Sequence, residues 1–408
     1  MKVLIIAHGH PTLHKGGGEV AAYSLFKMLR ADQHQAVFLG WSGHGESADG
    51  GPLQKVDEND YLLYTTSEYF HFSSTSPNLK LALALLIQNY DFDVLHLHHY
   101  VHIGIEIAAL VKSLSPRTRV VLTLHEYLAI CANNGQLFTA GGEICRGYSP
   151  VRCNECFPSI TSNTFFMREL SIKSAFSFVD HFLSPSEFLR EQYVQWGIPA
   201  EKIDAVENPL PLQYEGEVKA LAPPNPGRRW KIGFFGQINQ YKGLDVLLEG
   251  IRLATEQGAE CEIGIHGKMS SVDGTSDYLE SLDMTIKSLG NRATFHGPYQ
   301  QAEVLRLMES YHFVAMGSRW YENSPVVIQE SIAAGRPLIV PALGGMKEKS
   351  RGVNIEFAPS DKVSLAKALV NLTGDSYKRL QEKISLRRKE MKTDMKKNYL
   401  QTLAVYQR

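Results

Sequence analysis

A chain of 408 residues is long for one hydrophobic core, so two domains are expected. Its 44% hydrophobic and 21% charged content is that of an ordinary globular protein, and a net charge of -1 gives no electrostatic case for nucleic acid or an acidic partner. No apolar run approaches the ~18 residues of a membrane span, and MKVLIIAHGHP is too short for a signal-peptide core, so a cytoplasmic protein is expected.

In chain order, VLIIAH (3–8) reads as a buried strand, and GGGEVAAYSLFKMLRA as a helix with apolar residues at spacings of three and four. Strands follow at 36–41, 93–99, 119–125 and 181–186, alternating with helical patterns at 79–90, 101–114 and 186–197. Residues 205–229 carry five prolines and charges of both signs, the texture of a linker. A second series then begins: strands at 230–238, 261–267, 293–297, 313–318 and 337–341, with helices at 243–257, 277–289, 301–311 and 325–334. The last thirty residues are charged and helical. Strands alternating with helices predict parallel sheets covered on both faces, hence two α/β domains with a ligand cleft at the carboxyl ends of their strands. The expected bounds are 1–208 and 209–385, with a terminal helix at 386–408.

Glu322 and Glu330 flank an apolar run in SRWYENSPVVIQESIAAGRPLI. Ser324 is a suitable N-cap with Pro325 at the first helical position, and Gly335 and Pro337 end the helix. The free N–H groups at that helix start favour a phosphate, and an ionised carboxylate is a strong acceptor for sugar hydroxyls. On spacing alone the pair reads equally as a solvated loop charge and an exposed helix residue. Gly16, Gly17 and Gly18 open a helix directly after the first strand, which suits either a phosphate or a flexible turn. Gly236 closes a strand and Lys242 precedes a glycine that opens a helix; without context Lys242 is an ordinary surface lysine. His125 sits at a strand's carboxyl end, the edge where ligands bind in open α/β sheets.

In this order, GGGE, a strand-end His, G-x5-KG and E-x7-E followed by AAGRP and a GG turn resemble the family-4 retaining glycosyltransferases. The resemblance spans nearly the whole chain, and the E-x7-E stretch is its most specific part. It implies the GT-B fold of two facing Rossmann-like domains, with a last helix crossing back to the N-terminal domain. The implied reaction moves a sugar from a nucleotide-diphosphate donor, a UDP- or GDP-sugar, to a glycan, lipid-linked or other hydroxyl acceptor. The anomeric configuration is kept and no catalytic metal is needed. By resemblance, Gly16, Gly17 and Gly18 approach the donor phosphate and acceptor, and His125 contacts the donor sugar. Lys242 beside Gly236 neutralises the diphosphate, and Asn323, Ser324 and Pro325 turn backbone N–H groups to the donor. Glu322 takes the donor sugar hydroxyls and Glu330 the ribose hydroxyls. One position departs from the pattern: Gln237 stands where many members carry an Arg. That departure keeps open a non-catalytic sugar-nucleotide-binding partner subunit; a GT-B sugar-nucleotide epimerase is the rival among enzymes.

Four of the five cysteines, Cys131, Cys145, Cys153 and Cys156, lie within 26 residues as C-x13-C-x7-C-x2-C. Four thiolates so spaced suit zinc or an iron–sulfur cluster; the plain alternative is a loop with scattered reduced thiols. The stretch 168–182 mixes Lys and Arg with Phe and Ile, as a helix touching a bilayer surface would and as an ordinary packed helix also does.

Overall fold

The structure is a computed structural model; it describes all residues except 14–15, 48–49, 75–76, 210–217, 219 and 270–274. The chain divides into two compact units, Met1–Pro211 with Met395–Arg408, and Leu212–Asp394. Within the expected 205–229 linker, residues 210–217 and 219 lie outside the described residues.

The first unit carries β1 (Lys2–Ala7), α1 (Gly17–Ala31), β2 (Gln35–Gly43), β3 (Leu53–Asp57), β4 (Asp60–Tyr64), β5 (Ser67–Glu68), β6 (Ser73–Ser74), α2 (Pro77–Tyr90), β7 (Val94–Leu97) and α3 (Ile107–Leu114). It continues with β8 (Arg119–Thr123), α4 (Pro150–Cys156), α5 (Ser162–Phe176), β9 (His181–Ser184), α6 (Glu187–Trp196) and β10 (Ile203–Ala205). Its main sheet has the order β10-β9-β8-β7-β1-β2-β4-β3, parallel except for β3 against β4. The order reverses beside β1, where Ile5 pairs with both His96 and Phe38. Ligand sites of open α/β sheets form at the carboxyl ends of strands at such a reversal.

The second unit carries β11 (Trp230–Phe235), α7 (Leu244–Glu256), β12 (Cys261–His266), α8 (Thr275–Leu289), β13 (Ala293–Gly297), α9 (Val304–Met308), β14 (Phe313–Ala315) and α10 (Val326–Ala333). Then come β15 (Leu338–Pro341), α11 (Gly344–Lys349), β16 (Asn354–Phe357), α12 (Lys362–Val370) and α13 (Gly374–Gln407), whose residues from Met395 on belong to the first unit. Its sheet, β13-β12-β11-β14-β15-β16, is parallel throughout and reverses beside β11. Both sheets have strands buried on two faces, which is why they read in the sequence as short continuous apolar runs.

Local chemistry sets several helix ends. Ser186 caps α6 through Leu189 N at 3.1 Å, and Gly197 (φ 119°) ends it. Asp361 caps α12 through Val363 N and Ser364 N at 2.8 and 2.9 Å. Val3, Ile5, Leu25, Phe26 and Phe38 build the first core, joined by Tyr399, Val405 and Tyr406 from the end of α13. Tyr406 is anchored there by a 2.6 Å hydrogen bond to His96 Nδ1. The second core packs Ile232, Phe234, Leu247, Leu248, Ile263 and Phe313. Among the described residues no helix is long and apolar enough to cross a membrane.

Candidate functional site

In the second unit, β11 ends at Phe235 and the chain turns through Gly236 and exposed Gln237 into a short 3-10 segment, Gln240–Lys242. Asn239 fixes that segment: its Oδ1 accepts from Tyr241 N and Lys242 N, both at 3.1 Å. Gly243 follows with φ 60°, and a β-carbon there would run into the carbonyl of Gly317. Glycine is therefore required by both conformation and close approach. The result aims Lys242 at the loop after β14. Its Nζ donates to Glu322 Oε1 at 2.6 Å, and Ser318 Oγ donates to the same oxygen at 2.8 Å. Lys242 also lies over the Trp320 ring, 5.6 Å from its centroid. Glu322 is 7% exposed, so it is a paired, nearly buried carboxylate and not a solvated loop charge.

The helix after Glu322 differs at its start from the expectation. Pro325, with ψ 125°, is itself the N-cap, and α10 begins at Val326. Because the backbone of Pro325 is extended and not helical, the helix starts one residue later and Ser324 falls outside the capping position. Asn323 and Ser324 remain in the loop, and Gly345 N donates to Glu322 O at 2.9 Å. Glu330 lies in the second turn of α10, 2% exposed, and accepts from Gln301 Nε2. Burial raises its pKa, only partly offset by Gln301. Arg319 is paired with Asp245, and Arg336 is fully buried.

In the first unit, Gly16 is the N-cap of α1, and Gly17 and Gly18 form its first turn. A β-carbon on Gly18 would meet His8 Cε1 at 3.3 Å and His125 Cγ at 3.4 Å, so the glycine admits both imidazoles. His8 Nε2 lies 3.2 Å from Glu19 Oε1. Burial raises the Glu19 pKa, but the hydrogen bond and charge of His8 outweigh it and hold the carboxyl below its usual range. His125 Nε2 lies 3.1 Å from His98 Nδ1. Burial, reinforced by repulsion from His8 and His99, lowers its pKa to about 3, so the ring is neutral at physiological pH. Next to it, Glu126 Oε1 stands 3.3 Å from His99 Nε2, and burial pushes the Glu126 carboxyl up to about 8.

That shift has a sign. The folded chain holds the Glu126 proton well above its ordinary value of 4.5, so this contribution to stability is present at acid pH and is lost as pH rises through about 8. Wild-type Tm should decline from roughly pH 5 to pH 9, and Glu126→Gln should flatten that decline. Parallel Tm–pH profiles for the two proteins would rule the assignment out.

Sequence reasoning placed Lys242, Glu322, Glu330, Gly18 and His125 as candidates, and the structure joins Lys242 to Glu322 and Gly18 to His125. It missed Asn239, Ser318, Gln301, His8, Glu19 and Glu126. Ser318 at a strand's carboxyl end was a readable signal; nothing local marks Gln301. The four cysteines border one open cavity of about 340 Å³. Three of their sulfurs are engaged elsewhere: Cys156 Sγ accepts from Ala140 N at 3.1 Å, Cys145 Sγ donates to Gly147 O at 3.5 Å and Cys131 Sγ donates to Asn133 O at 4.0 Å. All three contacts are to loop backbone, and among the described residues no three His, Cys, Asp or Glu side chains stand in metal-holding geometry.

Residues 15–214 match the family described as Glycosyltransferase Family 4, and residues 229–375 match Glycosyl transferases group 1. No curated protein matches the chain significantly. Similar solved structures include HepE from Anabaena in complex with UDP (18% identity, TM-score 0.66, covering 99% of each chain). Sucrose-phosphate synthase from Thermosynechococcus elongatus has 14% identity and TM-score 0.69, over 100% of this chain and 98% of that one. The catalytic domain of starch synthase IV from Arabidopsis thaliana, bound to ADP and acarbose, has 13% identity and TM-score 0.62, over 98% and 99%. With both units matched by glycosyltransferase families and two Rossmann-like domains in the fold, the chain belongs to the family-4 glycosyltransferases of GT-B architecture.

Proposed function

We propose that this protein is a retaining glycosyltransferase that uses a nucleoside-diphosphate sugar. The observation that carries the reading is the Lys242–Glu322–Ser318 cluster just ahead of the α10 N-terminus. An ammonium has three donors. One goes to Glu322, leaving two for phosphate oxygens. Glu322 Oε1 already accepts twice, so Oε2 is the oxygen offered to sugar hydroxyls. Glu330 takes the ribose hydroxyls, while Asn323, Ser324, Pro325 and Gly236 shape the backbone around the donor. Gly16, Gly17 and Gly18 leave room on the acceptor side, and neutral His125 serves the sugar as a hydrogen-bond partner.

In the reaction the bond from the sugar's anomeric carbon to the phosphate oxygen breaks, and its electron pair leaves with the diphosphate. The acceptor hydroxyl oxygen bonds to the same carbon on the same face. Its proton passes to the departing phosphate oxygen. Lys242 and the free N–H groups of α10 stabilise the charge that develops there. Gln237 brings no charge, Arg319 is engaged by Asp245 and Arg336 is buried, so Lys242 supplies the side-chain cation.

The neighbour from Anabaena was solved with UDP and UDP-glucose, which puts UDP-sugars first among donors to try, with GDP-sugars next. Phe166, Met167 and Leu170 are exposed on α5 and Phe178 just beyond it, consistent with a peripheral bilayer contact and a lipid-linked acceptor. The test is a panel of UDP-, GDP-, dTDP- and ADP-sugars, read by thermal shift and nucleotide release, with soluble oligosaccharides and detergent-dispersed polyprenyl-linked sugars as acceptors. Stabilisation by one base with turnover and a retained anomeric configuration is expected. Binding without turnover would favour a non-catalytic subunit, and an inverted product would overturn the mechanism.

Within this reading, Glu330→Ala should weaken donor binding by roughly ten- to a hundredfold, since a charge-assisted hydrogen bond contributes about 1.5–3 kcal/mol. Calorimetry with the donor found in the screen checks it. An unchanged Kd would refute the ribose assignment.

A further inference from the structure

The strand order β7-β1-β2 sets the end of β1 between its two neighbours, and aromatic rings meet there from both sides. Trp41, near the end of β2, and His102, in the loop after β7, stack with ring centroids 3.9 Å apart and 15° between their planes. His44 stands edge-on to both, 5.2 Å from Trp41 and 5.9 Å from His102. The stack is tied to the loop after β1, because His10 N donates to Trp41 O at 3.1 Å. The indole N–H donates to Thr65 O at 3.3 Å, which fixes the ring. A stack that served only the core would be covered, yet His44 is exposed and Trp41 and His102 are part-exposed. Two backbone irregularities hold the rings in place. Against β4, β2 carries a bulge between Trp41 and Gly43, and bulges re-aim side chains beside active sites. His102 has φ 69°, a left-handed backbone that is uncommon outside glycine. Such strain persists only where the surrounding structure imposes it, and it gathers at ligand sites.

We infer that Trp41, His44 and His102 form the platform on which the acceptor rests, and that the acceptor presents a neutral sugar ring to it. The occupant's role as acceptor rests on the glycosyl transfer proposed above, which assigns the donor's phosphate and ribose to Lys242 and Glu330 of the other unit. The platform lies at the carboxyl ends of the strands beside the reversal, where open α/β sheets bind ligands. One face of a sugar ring carries C–H groups of slight positive charge. The face of an aromatic ring is slightly negative, so the two attract while both leave water. The hydroxyls at the sugar's rim need polar partners, and the nitrogens of exposed His44 and the exposed carboxylate of Glu46, two residues on, are placed to supply them. Neither 41–47 nor 99–106 contains Lys or Arg, so the segments that carry the rings bring no cation to a phosphate. The site therefore fits a glycan, or the sugar end of a lipid-linked saccharide, and not a bare polyprenyl phosphate.

The experiment is saturation-transfer NMR on the full chain with neutral gluco-, galacto- and manno-configured disaccharides, with and without UDP, for the wild type, His102→Asn, His44→Ala and Trp41→Leu. Asparagine tolerates the left-handed backbone, so His102→Asn removes the ring and leaves the turn. At least one disaccharide should receive saturation on its C–H protons from the wild type, and the signal should fall in all three variants. In turnover with the donor found in the panel, each variant should raise acceptor KM roughly three- to tenfold, the scale of one aromatic contact, with donor Kd unchanged. A folded wild type that saturates none of the disaccharides would overturn the platform. So would an unchanged acceptor KM in both His102→Asn and Trp41→Leu, or a polyprenyl phosphate without sugar serving as well as its glycosylated form. The two readings fail separately. Sugar binding that needs His102 in a protein that turns over no donor would keep the platform and sink the reaction, whereas donor turnover with wild-type acceptor KM in the variants would do the reverse.

Discussion

Lys242→Met is expected to lower kcat by roughly 10²–10³-fold with a much smaller change in donor KM. Removing one preorganised donor to a developing anion costs about 2.7–4 kcal/mol of transition-state stabilisation. The diphosphate is already charged in the bound donor, but the leaving oxygen gains its charge only as the sugar bond breaks, so the loss falls mainly on kcat. The fold should survive. Glu322 keeps the Ser318 hydroxyl at 2.8 Å, and the 2.6 Å ion pair involves a lysine side chain that is 27% exposed. Such a pair contributes about 1 kcal/mol or less, roughly 2–4 °C in Tm for a unit of this size. Lys242→Arg should recover part of the rate, because it restores charge without the compact ammonium. Single-turnover kinetics with the donor identified in the panel separate the two parameters. A variant with raised KM and full kcat would show that Lys242 binds the donor uniformly and does not serve the transition state.

The parallel strands were legible because burial on both faces writes them as short apolar runs bounded by turn residues; β1, β7, β8, β11 and β15 all read this way. The β3–β4 hairpin was missed. It lies at the sheet edge, its residues Lys55, Val56 and Asp57 are exposed, and its polar surface resembles a loop. β16 and α12 were also passed over, as four residues of mixed polarity followed by a helix of ordinary composition. At the site, the sequence order of motifs identified Lys242 and Glu322 separately. Their ion pair spans 80 positions and depends on Asn239 turning the chain and on Gly243 touching Gly317, which no local pattern records. The histidines were obscured for the opposite reason. Fifteen of them made any one look incidental, whereas the parallel register of β1, β7 and β8 brings His8, His98, His99 and His125 to one edge.

Arg168→Met should be the most destabilising single change in the first unit, by about 3–5 kcal/mol, or on the order of 10 °C in Tm. Arg168, on α5, is 1% exposed, and it was unremarkable in the sequence. Its Nε donates to Phe70 O and its Nη1 to Ala129 O, both at 2.9 Å, while Nη2 donates to Leu128 O. The guanidinium also lies over Phe70 and Phe72, 5.4 and 5.3 Å from their ring centroids. Removing it leaves three carbonyls short of a donor, two of them buried in the loop that follows His125 and Glu126. A buried acceptor without its partner costs about 1–3 kcal/mol. Lysine should not rescue the fold, since a single ammonium on a flexible stem cannot reach three carbonyls held in a planar fork. Thermal denaturation of Arg168→Met and Arg168→Lys checks the size of the effect, and amide exchange over residues 127–131 checks its location. If Arg168→Lys melted with the wild type, the fork would not be what holds the His125 loop in place.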